Sequence, residues 1–597
     1  MTHKSENAHP LDVEQLKITE LHQLGNLSID PGIVYLLRMP SDRTYIDAKK
    51  SQKSYEKIVD FFSHVNESAT ICILSTPPDA ATFYKYAIPH LKFQLWVAVK
   101  KDLSTPVVAR NVLPEEHAAL VVFTCYSKAL VHTKTRVAYT YCPACGKTTK
   151  DYGGKRHLYH VDGTAISDVW RDIKINLDDN IEPVTERLRD LFGVSLYSKL
   201  RIIDLRECKE LLHSVDRDDG IPLETEHTSQ IQIIESQLIN DDCINALEKF
   251  PSNSVDFCFA DLPYNLDKKY DGYDDALETK EYFDWCDRWL SELARITKPG
   301  HTCAILNIPF GSLHHYQHLL TLLEFQSWIV WDSLAFPTQH IMPAHYAILC
   351  FSKGVSRPLP GLQSLSKGNG TKDEYLTPQA ELFCIRPQCV QQRKTNCIDD
   401  RDVISDLWHD IHRLKHNSKR VDHPCQLPPA LMRRLFSIFT HPGEIILDCF
   451  NGAATSTLVA AQMGRYYIGI ELSKEYHELA KLRHSELESG LDPFRKRTSV
   501  PRSKNSPVRR ITEQEYKVSK KTLQLEVKRI KELLGRLPTR EDVAQHSRYP
   551  FEYYENYFLS WGEVCAAART TGMTEFPKDQ EVKDTDSVNQ PSLFNDM

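Results

Sequence analysis

Two short stretches of the chain hold residue types that could do chemistry together. In the first, DFCFADLPYNL (256–266), an apolar run reads as a buried strand ending in Asp261-Leu262-Pro263-Tyr264. A carboxylate at the C-terminal end of a strand, followed by a proline-stiffened turn, can face a planar amine. The Asp261 carboxylate and the Leu262 carbonyl offer acceptors to the two N–H groups of an exocyclic amine, and Tyr264 offers a ring to stack on. A flipped-out base needs that combination. The second stretch is EIILDCFNGAATSTLVAAQMGRYYIGIELSKEY (444–476). One apolar strand ends at Asp448, and a turn of small residues around Gly452 opens a helix. A further strand then ends at Glu471, roughly twenty residues after the turn. Strand–turn–helix–strand with an acid at that distance suits an adenosine moiety whose ribose hydroxyls meet the acid. The triple-glycine fingerprint is missing, which argues against a dinucleotide.

Elements able to position these residues are visible along the chain. Between about 231 and 494, runs such as GHTCAILN, WIVWDSL, HYAILCF and YYIGIEL alternate with helical or turn segments, the pattern of an α/β layer. Residues 31–215 show the same alternation (ATICILS, FQLWVAV, ALVVFTCY). The two blocks also share sequence. TICIL (70–74) matches TCAIL (302–306), and FQLW (93–96) matches FQSW (325–328), both at an offset of 232. ISDVWRDI (166–173) matches ISDLWHDI (404–411) at 238, and LRDLF (188–192) parallels MRRLF (432–436) at 244. Residues ~55–195 therefore read as a decayed copy of ~282–440. TPPD (76–79) falls opposite NIPF (307–310), after the wrong strand for a second catalytic motif, and no counterpart of the glycine-bearing turn at 448–454 appears after Phe192. The first copy is expected to be catalytically silent.

Taken together, the two motif stretches resemble the β class of amino-group DNA methyltransferases that use S-adenosylmethionine. DLPY is similar to that family's DPPY, DCFNGAATST to its DPFxGSGTT loop, HPCQLP (423–428) to HPTQKP, and NDDC (240–243) to the acidic turn before the catalytic strand. The catalytic motif precedes the cofactor loop, with recognition sequence between them, and the resemblance covers about 231–490. It implies an α/β, Rossmann-like methyltransferase domain. It makes Asp261, Leu262, Pro263 and Tyr264 the catalytic group, and Asp242, His423, Gln426, Asp448, Phe450, Asn451, Gly452 and Glu471 the cofactor site. S-adenosylmethionine is the implied cofactor, no metal is required, and DNA is the implied partner. Aspartate at the first motif position resembles the adenine-N6 enzymes. The expected reaction is therefore sequence-specific methyl transfer to N6 of adenine, of the restriction–modification kind. Cytosine-N4 transfer and a silent, DNA-binding pseudo-methyltransferase stand as alternatives. Three positions depart from the family pattern: Leu262 replaces a proline, Ala454 a glycine, and Leu427 a lysine. Of these, Ala454 requires a negative φ or mild strain.

Composition is compatible with these readings. Lys+Arg 73 against Asp+Glu 80 gives −7, which excludes a uniformly basic nucleic-acid protein but not local basic patches. A hydrophobic content of 41% excludes wholesale disorder. No apolar run approaches the ~18 residues of a membrane span, and MTHKSENAHPLDVEQ has no signal-peptide core, so a cytoplasmic location is expected. The 16 cysteines read mostly as reduced core thiols. Cys142-x2-Cys145 followed by His157-x2-His160 has only partial zinc-knuckle spacing and reads as a thiol pair in a β-turn, while KDYGGKRH (150–157) would suit contact with phosphates.

The remaining expectations concern the segments around these blocks. They are a polar N-terminal segment (1–30), a linker (216–230), a target-recognition region at about 355–420, a basic linker (495–515), and a helical module (516–572). That module resembles the repeats attached to homing endonucleases and is expected to grip DNA. A disordered tail (573–597) completes the chain. In the tail, Gln590, Leu593 and Phe594 resemble the peptide by which bacterial proteins bind the replication sliding clamp. The duplication suggests a monomer built as an internal pseudo-dimer.

Overall fold

A computed structural model describes most of residues 12–568, the larger stretches left out within that span being 213–234, 363–375, 414–425 and 495–517. The linkers at 216–230 and 495–515, His157, His423, the KDYGGKRH loop (150–157), and the tail with Gln590, Leu593 and Phe594 lie outside the described residues.

Main-sheet strands are numbered in chain order. The first unit contributes β1 (Asp12–Lys17), β2 (Ile33–Arg38), β3 (Thr70–Ser75), β4 (Leu91–Lys101), β5 (His117–Cys125), β6 (Val169–Ile175) and β7 (Lys199–Asp204). Their order across the sheet is β1-β7-β2-β3-β5-β4-β6. The second unit contributes β8 (Gln237–Asn240), β9 (Val255–Asp261), β10 (Thr297–Asn307), β11 (Glu324–Asp332), β12 (His345–Ser352), β13 (Leu407–Trp408), β14 (Ile445–Asp448) and β15 (Tyr466–Glu471). These run β8-β15-β14-β9-β10-β12-β11-β13. In each sheet a single strand, β5 or β12, runs antiparallel to both neighbours. The central strands are buried along nearly their whole length, because helices cover both faces, and this explains their unbroken apolar sequence.

The two orders coincide except that the second sheet has one strand more. Where the first unit has β7 alone, the second has β14, a helix and β15. The repeat thus reaches further toward the N-terminus than the shared sequence showed. Within the polar N-terminal segment, Asp12–Lys17 forms an edge strand, paired in parallel with Lys199–Asp204.

Equivalent elements meet across a local two-fold relation. The helix Pro77–Ala87 packs against the helix Pro309–Leu319, with Gln317 donating to the Ala81 carbonyl at 2.6 Å. Trp96 and Trp328, related by the offset of 232, stack face to face with centroids 4.4 Å apart. Asp168 Oδ1 accepts the backbone N–H groups of Ala344 and His345 at 2.7 and 3.0 Å. Its counterpart Asp406 accepts the N–H of Glu116 at 2.7 Å and lies 2.9 Å from His117 Nδ1. One apolar cluster runs through both units, from Tyr35, Phe62 and Trp96 to Trp289, Trp328 and Leu447. A shared core of this kind holds two units as one body rather than as hinged domains.

A third cluster belongs to the C-terminal module. Leu523, Val527 and Ile530 of Lys520–Leu534 pack on Val543, Tyr554 and Phe558. Gly535, at φ +69°, ends the first helix, and Thr539 with Asp542 forms a capping box on the next. Tyr553, Tyr557 and Trp561 pack against that cluster, so these aromatics serve the core. Among the described residues no helix is long and apolar enough to cross a membrane.

Candidate active site

Strands β9, β14 and β15 end side by side, and their C-terminal ends open into one cleft. Its walls include Asp261, Leu262, Pro263 and Tyr264 on one side, and Asp448, Phe450, Asn451, Gly452 and Glu471 on the other. Asp242 and Gln426 also line it. All the candidate site residues within the described part therefore meet; His423 lies outside it.

Asp261 is the last residue of β9, with buried Leu262 beneath the turn. The Tyr264 hydroxyl donates to Asp261 Oδ1 at 2.8 Å, which orients the carboxylate. Tyr282, on the helix Thr279–Ile296, donates to the Pro263 carbonyl at 2.8 Å and so fixes the turn from behind.

The opposite wall is a cradle built by backbone donors. Asp448 Oδ1 accepts the Phe450 N–H at 3.0 Å, and its other oxygen accepts the Ser456 hydroxyl. Burial pushes the Asp448 carboxyl up to about 6, with the Ser456 and Phe450 hydrogen bonds opposing that rise. Glu471 accepts the Gly452 N–H at 2.7 Å and the Ser473 N–H at 2.9 Å. Each carboxylate oxygen has a second lone pair, so ribose hydroxyls could still donate to Glu471. Gly469 allows Asn451 to lie against β15, since a Cβ there would come within 2.7 Å of the Asn451 amide. Asn451 in turn accepts from Thr457 at 3.0 Å. Ala454 adopts φ +61°, ψ 29°, so the chain accepts left-handed strain where the family pattern has glycine.

Asp242 has a second occupation. Its Oδ1 caps the helix Cys243–Leu247 by accepting from Ile244 and Asn245 at 2.9 and 3.2 Å. Sequence reasoning missed Trp285, Leu472 and Tyr476, which also line the cleft. Trp285 lies 5.8 Å from Phe450, ring centre to ring centre. It missed Arg483 as well, a fully buried cation that donates to the Ala453 carbonyl and braces the cofactor turn. These four carry no motif. Only the aromatic density of YFDWCDRWL (282–290) hinted at a ring-lined wall.

In the first unit, strand register aligns Arg38 with Asp261. Arg38 pairs with Leu74 on β3, as Asp261 pairs with Leu306 on β10, and 74 and 306 differ by the repeat offset. Arg38-Met39-Pro40-Ser41 thus stands where the second unit has Asp261-Leu262-Pro263-Tyr264. Arg38 is buried and donates to the carbonyls of Leu177 and Asp179 at 2.8 and 2.9 Å. The same register sets Ile202 opposite Asp448.

Known proteins match this layout. Residues 255–482 fit a family described as DNA methylase. The Type II methyltransferase M.HpaI of Haemophilus parainfluenzae is 30% identical over 284 residues, 46% of this chain and 82% of that protein. The chain belongs to the DNA methylase family. The Type II methyltransferase M.BamHI of Bacillus amyloliquefaciens is 31% identical over 245 residues, 40% of this chain, and the chain spans only 54% of that relative. The DNA adenine methyltransferase YhdJ of Escherichia coli K12 is 29% identical over 246 residues, 40% of this chain and 79% of that one. Among solved structures, the PvuII DNA methyltransferase (cytosine-N4-specific) aligns over 42% of this chain and 86% of its own, at 17% identity and a TM-score of 0.31. Separately, residues 518–568 match the homing endonuclease associated repeat.

Proposed function

We propose that the chain is a site-specific DNA methyltransferase that transfers a methyl group from S-adenosylmethionine to N6 of adenine. The observation carrying this reading is that Asp261-Leu262-Pro263-Tyr264 and the Asp448–Glu471 cradle face one cleft from the ends of neighbouring strands. The donor set fits the cofactor: a carboxylate for ribose hydroxyls in Glu471, aromatic walls in Phe450 and Trp285, and the Gly452 turn for close approach. When bound, S-adenosylmethionine supplies an electrophilic sulfonium methyl.

The chain's own groups do the rest. An exocyclic amine is a poor nucleophile because its lone pair is delocalised into the ring. The Asp261 carboxylate and the Leu262 carbonyl accept its two N–H groups, favouring the pyramidal nitrogen that attacks. Tyr264 holds the base by stacking. Catalysis is then positioning plus fixed acceptors. DNA is the partner, reached through the target-recognition region at about 355–420 and the C-terminal repeat. The first unit supplies DNA contacts but no cofactor site, in a chain that works as a monomeric internal pseudo-dimer. The tail residues Gln590, Leu593 and Phe594 recruit it to a replication clamp, and a cytoplasmic location follows from that role. Mass spectrometry of nucleosides from DNA incubated with methyl-labelled S-adenosylmethionine tests the main reading. Labelled N6-methyladenine is expected; labelled N4-methylcytosine, or no labelled base, contradicts it.

A further inference from the structure

Three cysteines that are not part of the cleft converge. Cys142 and Cys145 flank the turn of a small hairpin in the first unit, whose strands Tyr141–Cys142 and Lys147–Thr148 pair antiparallel. Gly146, at φ +63°, follows the second thiol, and its N–H donates to the Cys142 carbonyl at 2.9 Å. The left-handed glycine closes the turn tightly and brings both thiols to one side. The third thiol comes from the other unit. Cys389 lies in the first turn of the helix Pro387–Thr395, 244 residues beyond Cys145, yet all three Sγ atoms lie within 4.8 Å of one another. Cys142 and Cys389 are buried and Cys145 is half-buried, and all three are free of disulfides.

We propose that Cys142, Cys145 and Cys389 bind a zinc ion that ties the first unit to the segment between β12 and β13. Zinc–thiolate bonds of about 2.3 Å at tetrahedral angles put ligand sulfurs about 3.8 Å apart, compatible with this cluster. Thiolate is the binding form, and the positive end of the Pro387–Thr395 helix favours it at Cys389. A fourth position is left for water. The Cys142-x2-Cys145 pair, which by its spacing alone reads as a thiol pair in a β-turn, gains its third ligand from another unit, and that ligand leaves no sequence signature; His160 is not part of the cluster. The other acid-rich cluster, Asp256, His301 and Glu444, is already neutralised, with Lys298 at 2.7 Å from Asp256 and Arg357 at 2.5 Å from Glu444. It offers hard oxygen ligands to protein cations, whereas the cysteine cluster offers soft sulfur ligands suited to zinc.

Elemental analysis of the full-length, reduced chain purified without chelator tests this directly. One zinc per chain is expected, lost in both Cys142→Ser and Cys389→Ser but retained in Cys208→Ser, whose thiol lies in the first unit outside the cluster. Should the serine variants fail to fold, the wild-type chain loaded with cobalt(II) reads the same site, through thiolate-to-cobalt charge-transfer absorption and the visible bands of a tetrahedral ion. A metal-free chain that takes up no cobalt would overturn the proposal. So would Cys389→Ser keeping its zinc, or a Cys142–Cys145 disulfide in the freshly isolated chain.

Discussion

Asp448 shows how one buried carboxyl can serve a site at the expense of the fold. Its acidity in the folded chain lies at about 6, against an ordinary 3.8, chiefly because burial disfavours the charge. Folding therefore takes up a proton between about pH 4 and 6. The stability this carboxyl contributes is present below the lower value, is lost as pH rises through the upper one, and amounts to about 3 kcal/mol. Asp448→Asn, whose amide oxygen can accept from Phe450 and whose NH2 can donate to a turned Ser456 hydroxyl, should make the cofactor-free chain more resistant to denaturant near pH 7. That advantage should shrink toward pH 4. The same variant should bind S-adenosylmethionine at least about tenfold more weakly. Equal denaturation midpoints at both pH values would contradict the assignment. At this scale the motif residues were legible because their chemistry demands particular side chains at particular spacings. Trp285, Tyr476 and Arg483 were not, since the first two reach the cleft, and the third reaches the turn behind it, only through the way helices pack over the sheet.

The cradle owes its shape to two unlike backbone positions. Gly469 sits in a strand, where any Cβ collides with Asn451 and comes within 2.9 Å of Leu238. Gly469→Ala should cost about 1–3 kcal/mol of stability. It should also weaken cofactor binding by displacing Asn451, which calorimetry on the variant would read. Unchanged affinity would mean that Asn451 plays no part in shaping the cleft. Central strands such as β9 and β14 could be read from sequence because burial on both faces leaves an unbroken apolar run. The edge strand DVEQLK at 12–17 could not. Its side chains alternate between exposed and half-buried, and it becomes a strand only by pairing with β7, which is distant in sequence.

Across the whole molecule, duplication was written in four matched segments, whereas the changes at the site of the first copy were not. Residues 33–41 share too little sequence with 256–264 to be aligned by eye; strand register aligns them, and it sets Arg38 against Asp261. Burying a guanidinium there, bonded to backbone carbonyls, fills the place where the second unit keeps its carboxylate. Loss of the helix–strand unit equivalent to Thr455–Glu471 removes the cradle as well. Calorimetry should therefore find one S-adenosylmethionine per chain, and sedimentation should find a monomer, because the reciprocal Asp168 and Asp406 contacts are already satisfied within one chain. Two cofactors per chain, or an obligate homodimer, would contradict this architecture.

The central claim is that methyl transfer takes place in the cleft of the second unit, with Asp261 holding the amine. Asp261→Ala measured beside the wild-type chain tests it most directly, by transfer of labelled methyl to DNA and by calorimetric S-adenosylmethionine affinity on the same preparations. Transfer should fall to background while cofactor affinity stays within about threefold, a change under 1 kcal/mol. Turnover retained by the variant would place the chemistry elsewhere.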